Sequence, residues 1–160
     1  MMRMTSVERG PEAYLREIHA GETAIVFAAM SELRPHVGSA PEFVRRVDEL
    51  QRPQGYRLVG AFVEGVGDAV AAAGFRVGDN LANGRNLYVD DLVTATAHRR
   101  RGHARVLMSW LMDEAGRLGC DVFHLDSATH RHAAHRLYLS SGLDITSFHF
   151  GLDLLRSDAD

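Results

Sequence analysis

The chain has 160 residues, 46 % of them hydrophobic and 24 % charged, which suits one globular domain and excludes the disordered, collagenous and fibrous classes. A chain of this size buries roughly 68–70 % of its unfolded surface, enough for a core without metal or disulfide staples. Its formal charge of −3, from 18 basic and 21 acidic residues, is too balanced for a dedicated nucleic-acid binder or a polybasic membrane-surface protein.

The spacing predicts a strand over residues 14–19 and a helix over 22–33, where Ala24, Phe27, Ala28 and Leu33 share a face and Pro35 closes the run. Pro41 suits the first turn of a second helix through Val44, Val47 and Leu50, ending before Pro53. Three apolar stretches follow, 56–63, 69–77 and 87–94. They are separated by turn chemistry at Gly65-Val66-Gly67-Asp68, Gly78-Asp79-Asn80 and Asn83-Gly84, which predicts an antiparallel meander. Over 102–118 the apolar positions Ala104, Leu107, Leu111, Ala115 and Leu118 recur at three and four, and Gly119 stands where a left-handed cap belongs. A short strand over 121–126, a helix over 131–141 stopped by Gly142, and a final strand pair or long strand over 145–154 complete the order. A strand–helix–strand unit beside a meander implies an α+β domain, a mixed and mostly antiparallel sheet flanked by helices.

All eighteen basic side chains are arginines, which excludes a lysine Schiff base and a phosphate-loop lysine. Cys120 is the single cysteine; no intrachain disulfide can form, and a cytoplasmic location is expected. The longest apolar run, Ala24 to Met30, falls far short of the roughly 20 residues of a membrane span, and the first residues lack the charged-then-apolar order of a signal peptide. His132 and His135 could share a helix face, but no third ligand accompanies them, so no metal is expected. Gly65-Val66-Gly67 has Val70 where a dinucleotide fingerprint needs its third glycine.

Residues His98-Arg99-Arg100-Arg101-Gly102-His103-Ala104-Arg105 lie between a predicted strand and the most regular helix. The open N–H groups and dipole of a helix start, a glycine permitting close approach, and neighbouring arginines together suit a diphosphate. A solvated basic turn is the other reading of the same string.

The strand Leu87-Tyr88-Val89-Asp90-Asp91-Leu92-Val93-Thr94, the pattern Arg99-x-x-Gly102-x-Ala104, a helix, a strand, and then Ala134-x-x-x-Tyr138-x-x-x-Gly142-Leu143 occur in order. Together they resemble the GCN5-related N-acetyltransferase family over about 60 residues. Arg131 stands where that family commonly has asparagine, and Leu143 where it commonly has phenylalanine. The resemblance implies the family's acyl-CoA N-acyltransferase fold across a single domain, with acetyl-CoA as co-substrate. It implies that the backbone of Leu92, Val93 and Thr94 meets the pantetheine arm and acetyl carbonyl. It also implies that Arg99, Arg100, Arg101, Gly102, His103, Ala104 and Arg105 enclose the pyrophosphate, with Arg131 and Ala134 also on the cofactor side. In such members the strand holding Leu92 splays from the one holding His124, so the cofactor arm pairs with an exposed edge.

A lysine-like ammonium with pKa near 10.4 is neutral about once in 2,500 molecules at pH 7, a penalty of roughly 4.6 kcal/mol. Asp90 and Asp91 are the candidate proton acceptors; alternation puts them on opposite sides of their strand, and the family's carboxylate corresponds to Asp90. Asp90 could equally bind a cationic substrate without taking a proton. Tyr138 occupies the helix position the family uses to return a proton to the coenzyme A thiolate; half-buried packing is its other reading. The expectation is an N-acetyltransferase acting on a small-molecule or peptide amine by direct attack, since Cys120 lies outside the motif. No nucleic-acid or membrane partner is expected, and a homodimer would use the C-terminal strands. A non-catalytic acyl-CoA sensor on the same fold is the alternative, and a hydroxyl acceptor or longer acyl group stays open. The family shapes its acceptor cleft with its first helices and final strands, here 22–50 and 145–154.

Overall fold

The computed structural model describes residues 13–155, which divide after Leu125 into two compact units. In the first, the period-two stretches become a five-stranded sheet. Strand β1 (Tyr14–Ile18) pairs antiparallel with β2 (Arg57–Phe62), β2 with β3 (Ala71–Asn80), and β3 with β4 (Gly84–Thr94). The order closes with β5 (Val122–Leu125), which lies parallel to β4. The sheet is therefore mixed and mostly antiparallel, with helices beside it, as the pattern predicts.

Between β1 and β2 the predicted helices form with altered winding. Residues Thr23–Val26 make a 3₁₀ turn ahead of α1 (Phe27–Leu33), which Pro35 ends because it cannot donate to the preceding turn. Ser39 and Glu42 form a reciprocal capping box at the start of α2 (Ala40–Arg45). This helix then widens into a π-turn over Arg46–Gln51. In an ordinary helix Arg46 and Gln51, five residues apart, would point about 140° away from each other; the wider i→i+5 winding brings them toward one face.

Helix α3 (His103–Arg117) buries Leu107, Met108, Leu111 and Ala115. Trp110 meets Phe75 edge-on, with ring centroids 5.7 Å apart, and Gly119 takes the predicted left-handed cap at φ 67°. Arg57 lies over the Phe75 ring, bonded to Glu17 at 2.7 Å and to Glu114 at 2.9 Å. No helix among the described residues is long and apolar enough to cross a membrane.

The second unit, from Asp126 onward, contains α4 (His132–Ser140), after which Gly142 turns the chain at φ 93°. The final strand expected over 145–154 is not formed. The apolar residues there, Ile145, Phe148, Phe150, Leu152 and Leu154, are each at least 77 % exposed. The alternation is present, but a strand needs a hydrogen-bonded neighbour, and this segment pairs with none of the five strands.

Candidate functional site

Beneath the end of α1, the π-turn and the middle of β4 lies a cleft of about 330 Å³. The first helices supply Arg34, His36, Arg46 and Gln51; Tyr56 enters just before β2, Arg76 comes from β3, and Tyr88, Asp90 and Asp91 come from β4. The expectation that the first helices shape a cleft is met.

Asp90 and Asp91 both line this cleft, which corrects the expectation of opposite faces. Opposite β3, Gly74 pairs with Asp91 and the next residue, Phe75, pairs with Val89, so Asp90 is the extra residue of a β-bulge. A bulge breaks the two-residue period and re-aims the side chains around it. The backbone is strapped in place by Arg34, whose Nη2 donates to the Asp90 carbonyl at 3.0 Å and whose Nε donates to Asp91 at 2.8 Å. Gly74 is needed here because a Cβ at this position would run into the Tyr56 hydroxyl.

The two carboxylates differ. Both Asp91 oxygens are occupied, one by Arg34 and the other by the Tyr56 hydroxyl at 2.7 Å. Among the described residues Asp90 accepts one side-chain hydrogen bond, at Oδ2 from Arg76 Nε at 3.0 Å, while Arg76 Nη2 donates to Gln51 at 2.8 Å. Burial raises the Asp90 carboxyl above the ordinary aspartate range, and Arg76 only partly opposes it. Burial and the neighbouring Asp91 push the Tyr56 phenol well up, so it stays a neutral donor.

Beyond Val89, β4 continues to Thr94, but its pairing with β5 stops at Val89 and Leu125. Within the first unit, residues 90–94 therefore have no strand paired on the edge away from β3, the parting that the resemblance implies. Leu92 and Val93 bury their side chains and Thr94 is half-buried, which leaves main-chain groups for a ligand on that edge.

The loop after β4 is anchored where Glu32 accepts from the Thr96 N–H at 2.8 Å and its hydroxyl at 2.7 Å, and where Arg99 Nε donates to the Thr94 carbonyl at 3.3 Å. Arg100 and Gly102 both adopt positive φ, 64° and 82°. Such a twist at a helix start turns successive N–H groups toward one point, an anion-binding nest. Among the described residues, no backbone acceptor takes the N–H groups of Arg101, Gly102, His103 or Ala104. The Arg99, Arg100, Arg101 and Arg105 side chains are exposed. His103 is buried as the first residue of α3; its Nε2 has no partner, and burial lowers its pKa, as do nearby His98 and Arg101. Open amides and an orphaned imidazole nitrogen fit a diphosphate.

In the second unit, Arg131 precedes α4 and Ala134 and Tyr138 lie on it. Tyr138 is buried, and that burial raises its phenol while Arg131 pulls the other way. Among the described residues no cluster of three His, Cys, Asp or Glu is arranged for a metal.

Sequence reasoning missed Arg34, Arg46, Tyr56 and Arg76. One signal pointed to Arg76, a charge within the otherwise apolar stretch 69–77. The others carry no local pattern, because the fold brings them together from separate elements.

The family described as the acetyltransferase (GNAT) family matches residues 24–143. The uncharacterized N-acetyltransferase YhdJ of Bacillus subtilis (strain 168) is 27 % identical over 151 residues, which is 94 % of this chain and 95 % of that protein. The aminoglycoside N-acetyltransferase AAC(6')-Iy, solved in complex with CoA, matches with a TM-score of 0.77 at 16 % identity over 94 % of this chain and 99 % of its own. Glucosamine-6-phosphate N-acetyltransferase from Arabidopsis thaliana matches with a TM-score of 0.71 at 17 % identity over 89 % and 99 %. With the fold shared by these structures and the family matched across most of its length, the chain belongs to the acetyltransferase (GNAT) family.

Proposed function

We propose that the protein is a single-domain enzyme that transfers the acetyl group of acetyl-CoA to a primary amine by direct attack in a ternary complex. The observation that carries this reading is the open edge of residues 90–94 with the Asp90 carboxylate at its start, facing a cleft. Acetyl-CoA would supply an acetyl thioester already activated for attack. The main chain of Leu92, Val93 and Thr94 would pair with the pantetheine arm as an added strand, and the amides of 101–104 with the arginines around them would hold the diphosphate. Asp90, with its raised pKa and open Oδ1, would take the ammonium proton directly or through water. As the N–C bond forms and the C–S bond breaks, Tyr138 would return a proton to the sulfur, on the strength of its place in the family pattern and its neutral, buried phenol.

The exposed alternating residues of 145–154 are read as the surface through which two copies pair; light scattering on the purified chain tests this. The cytoplasm is the proposed compartment, from the single cysteine.

The deciding experiment follows free thiol from acetyl-CoA with a panel of amines. Thiol release that depends on the amine is expected. Tight coenzyme A binding without release for any amine is the behaviour of a sensor.

A further inference from the structure

The charges around the cleft do not balance. Three arginines, Arg34, Arg46 and Arg76, face two carboxylates, Asp90 and Asp91. Two of the arginines are spent within the protein: Arg34 on Asp91 and the Asp90 carbonyl, Arg76 on Asp90 and Gln51. The Arg46 side chain makes no hydrogen bond or ion pair with any described residue, and neither does that of His36, which lines the same cleft. Arg46 is exposed and lines the cleft, and the π-turn it opens turns its backbone position toward the same face as Gln51. Such turns are rare and recur at functional sites. The cleft thus pairs an uncommitted cation on its helical wall with an open carboxylate oxygen on its strand floor.

A polycation entering this cleft would set further positive charge beside an uncompensated guanidinium, an unfavourable like-charge pairing. An acceptor carrying both an amine and an oxyanion meets both needs, with the amine toward Asp90 and the anion toward the guanidinium fork, which matches carboxylate and phosphate geometry. A cleft of about 330 Å³ is at the small end for ligand sites. Resting on the acetyl-transfer reading above, we propose that the acceptor is a small amine bearing an oxyanion, either carboxylate or phosphate, which Arg46 binds with His36 beside it.

The test uses matched acceptors that differ only in the anion. An α-amino acid is set against its carboxamide, and glucosamine 6-phosphate against glucosamine, with spermidine as the polycation; the first two pairs separate carboxylate from phosphate. With the full chain and acetyl-CoA, at least one oxyanion-bearing member should show a kcat/KM ten or more times that of its oxyanion-free pair. Arg46→Gln should raise KM for that member at least tenfold more than for the oxyanion-free one, with kcat changed far less. Arg46→Lys should restore part of the difference, since it returns the charge without the fork. Equal or better use of oxyanion-free or polycationic acceptors, or an Arg46→Gln penalty that is the same for both members of each pair, overturns the proposal.

Calorimetric titration of the same compounds in the presence of coenzyme A gives a second readout. If no amine is turned over, the acetyl-transfer reading fails, and the titration still decides the oxyanion site. Anionic members that bind the unaltered chain and not Arg46→Gln uphold it; equal binding, or none, overturns it.

Discussion

The Tyr56 hydroxyl donates a 2.7 Å hydrogen bond to Oδ2 of Asp91, and it reaches that oxygen across a strand position, Gly74, that has no side chain in the way. With Arg34 on the other oxygen, Asp91 is a fixed anchor for the bulge rather than a group free to move a proton. Gly74→Ala should displace the Tyr56 ring, loosen the anchor and shift Asp90. Misplacement of about 1 Å can cost about 10²-fold in rate, so turnover should fall by that order while circular dichroism stays native. Unchanged turnover in a folded Gly74→Ala protein would show that the anchor does not position Asp90.

Asp90 must be ionised to accept a proton, and burial holds its pKa above the usual 3.8. The kcat/KM profile should therefore fall, as pH drops, through an acid limb lying above 3.8. Asp90→Asn should lower kcat/KM by about 10²–10⁴-fold and remove that limb. An Asn variant that keeps the limb assigns it to another group.

At the loop, Gly102 holds φ 82° with open space where a side chain would sit. Asparagine and aspartate both tolerate this conformation, so the pair isolates charge. Calorimetry should find no coenzyme A binding to Gly102→Asp and weakened but measurable binding to Gly102→Asn. Full affinity in Gly102→Asp would move the diphosphate elsewhere.

Tyr138→Phe removes one oxygen and keeps the ring. Coenzyme A affinity should hold while single-turnover rates drop by about 10²–10⁴-fold. Single turnovers are needed because slow product release would hide a damaged chemical step. A wild-type rate leaves Tyr138 as packing alone.

Glu114 is held to a pKa of about 2 in the folded chain, first by the hydrogen bond from Arg117 and then by Arg57, against an ordinary 4.5. A depressed carboxyl stabilises the fold above its unfolded pKa and loses that contribution as pH falls toward the folded value. Glu114→Gln should therefore be less stable than the parent at pH 7, by on the order of 3 kcal/mol at most. The gap should close between pH 4.5 and about 2, as followed by urea denaturation.

Much of this architecture can be read along the chain. The meander was legible because Gly65-Val66-Gly67-Asp68 and Asn83-Gly84 are turn-forming, and α3 because its apolar positions recur and Gly119 ends it. Asp90 was legible as a candidate, but its orientation was not, because the two-residue period assumes a regular pleat and the bulge arises from pairing with Gly74 and Phe75. The π-turn carries no mark in the sequence, since no residue type specifies it. Residues 145–154 read as strand because alternation reports which faces are apolar, not whether a neighbour exists to pair with.

The parting of β4 from β5 also bears on how the protein behaves before it meets any ligand. Along residues 90–94 β5 no longer pairs with the strand; Arg34 and Arg99 take the Asp90 and Thr94 carbonyls, and the rest of that edge, beside the buried Leu92 and Val93 side chains, is the kind onto which another chain can add. A pantetheine arm seated there would close that edge, so coenzyme A, acetylated or free, would act as a folding partner and a guard against aggregation. At a hundredfold excess over Kd such binding adds about 2.7 kcal/mol to the folded state. The empty protein should therefore be the form that melts first, precipitates on storage and exchanges the amide hydrogens of Leu92 and Thr94 fastest, with coenzyme A suppressing all three.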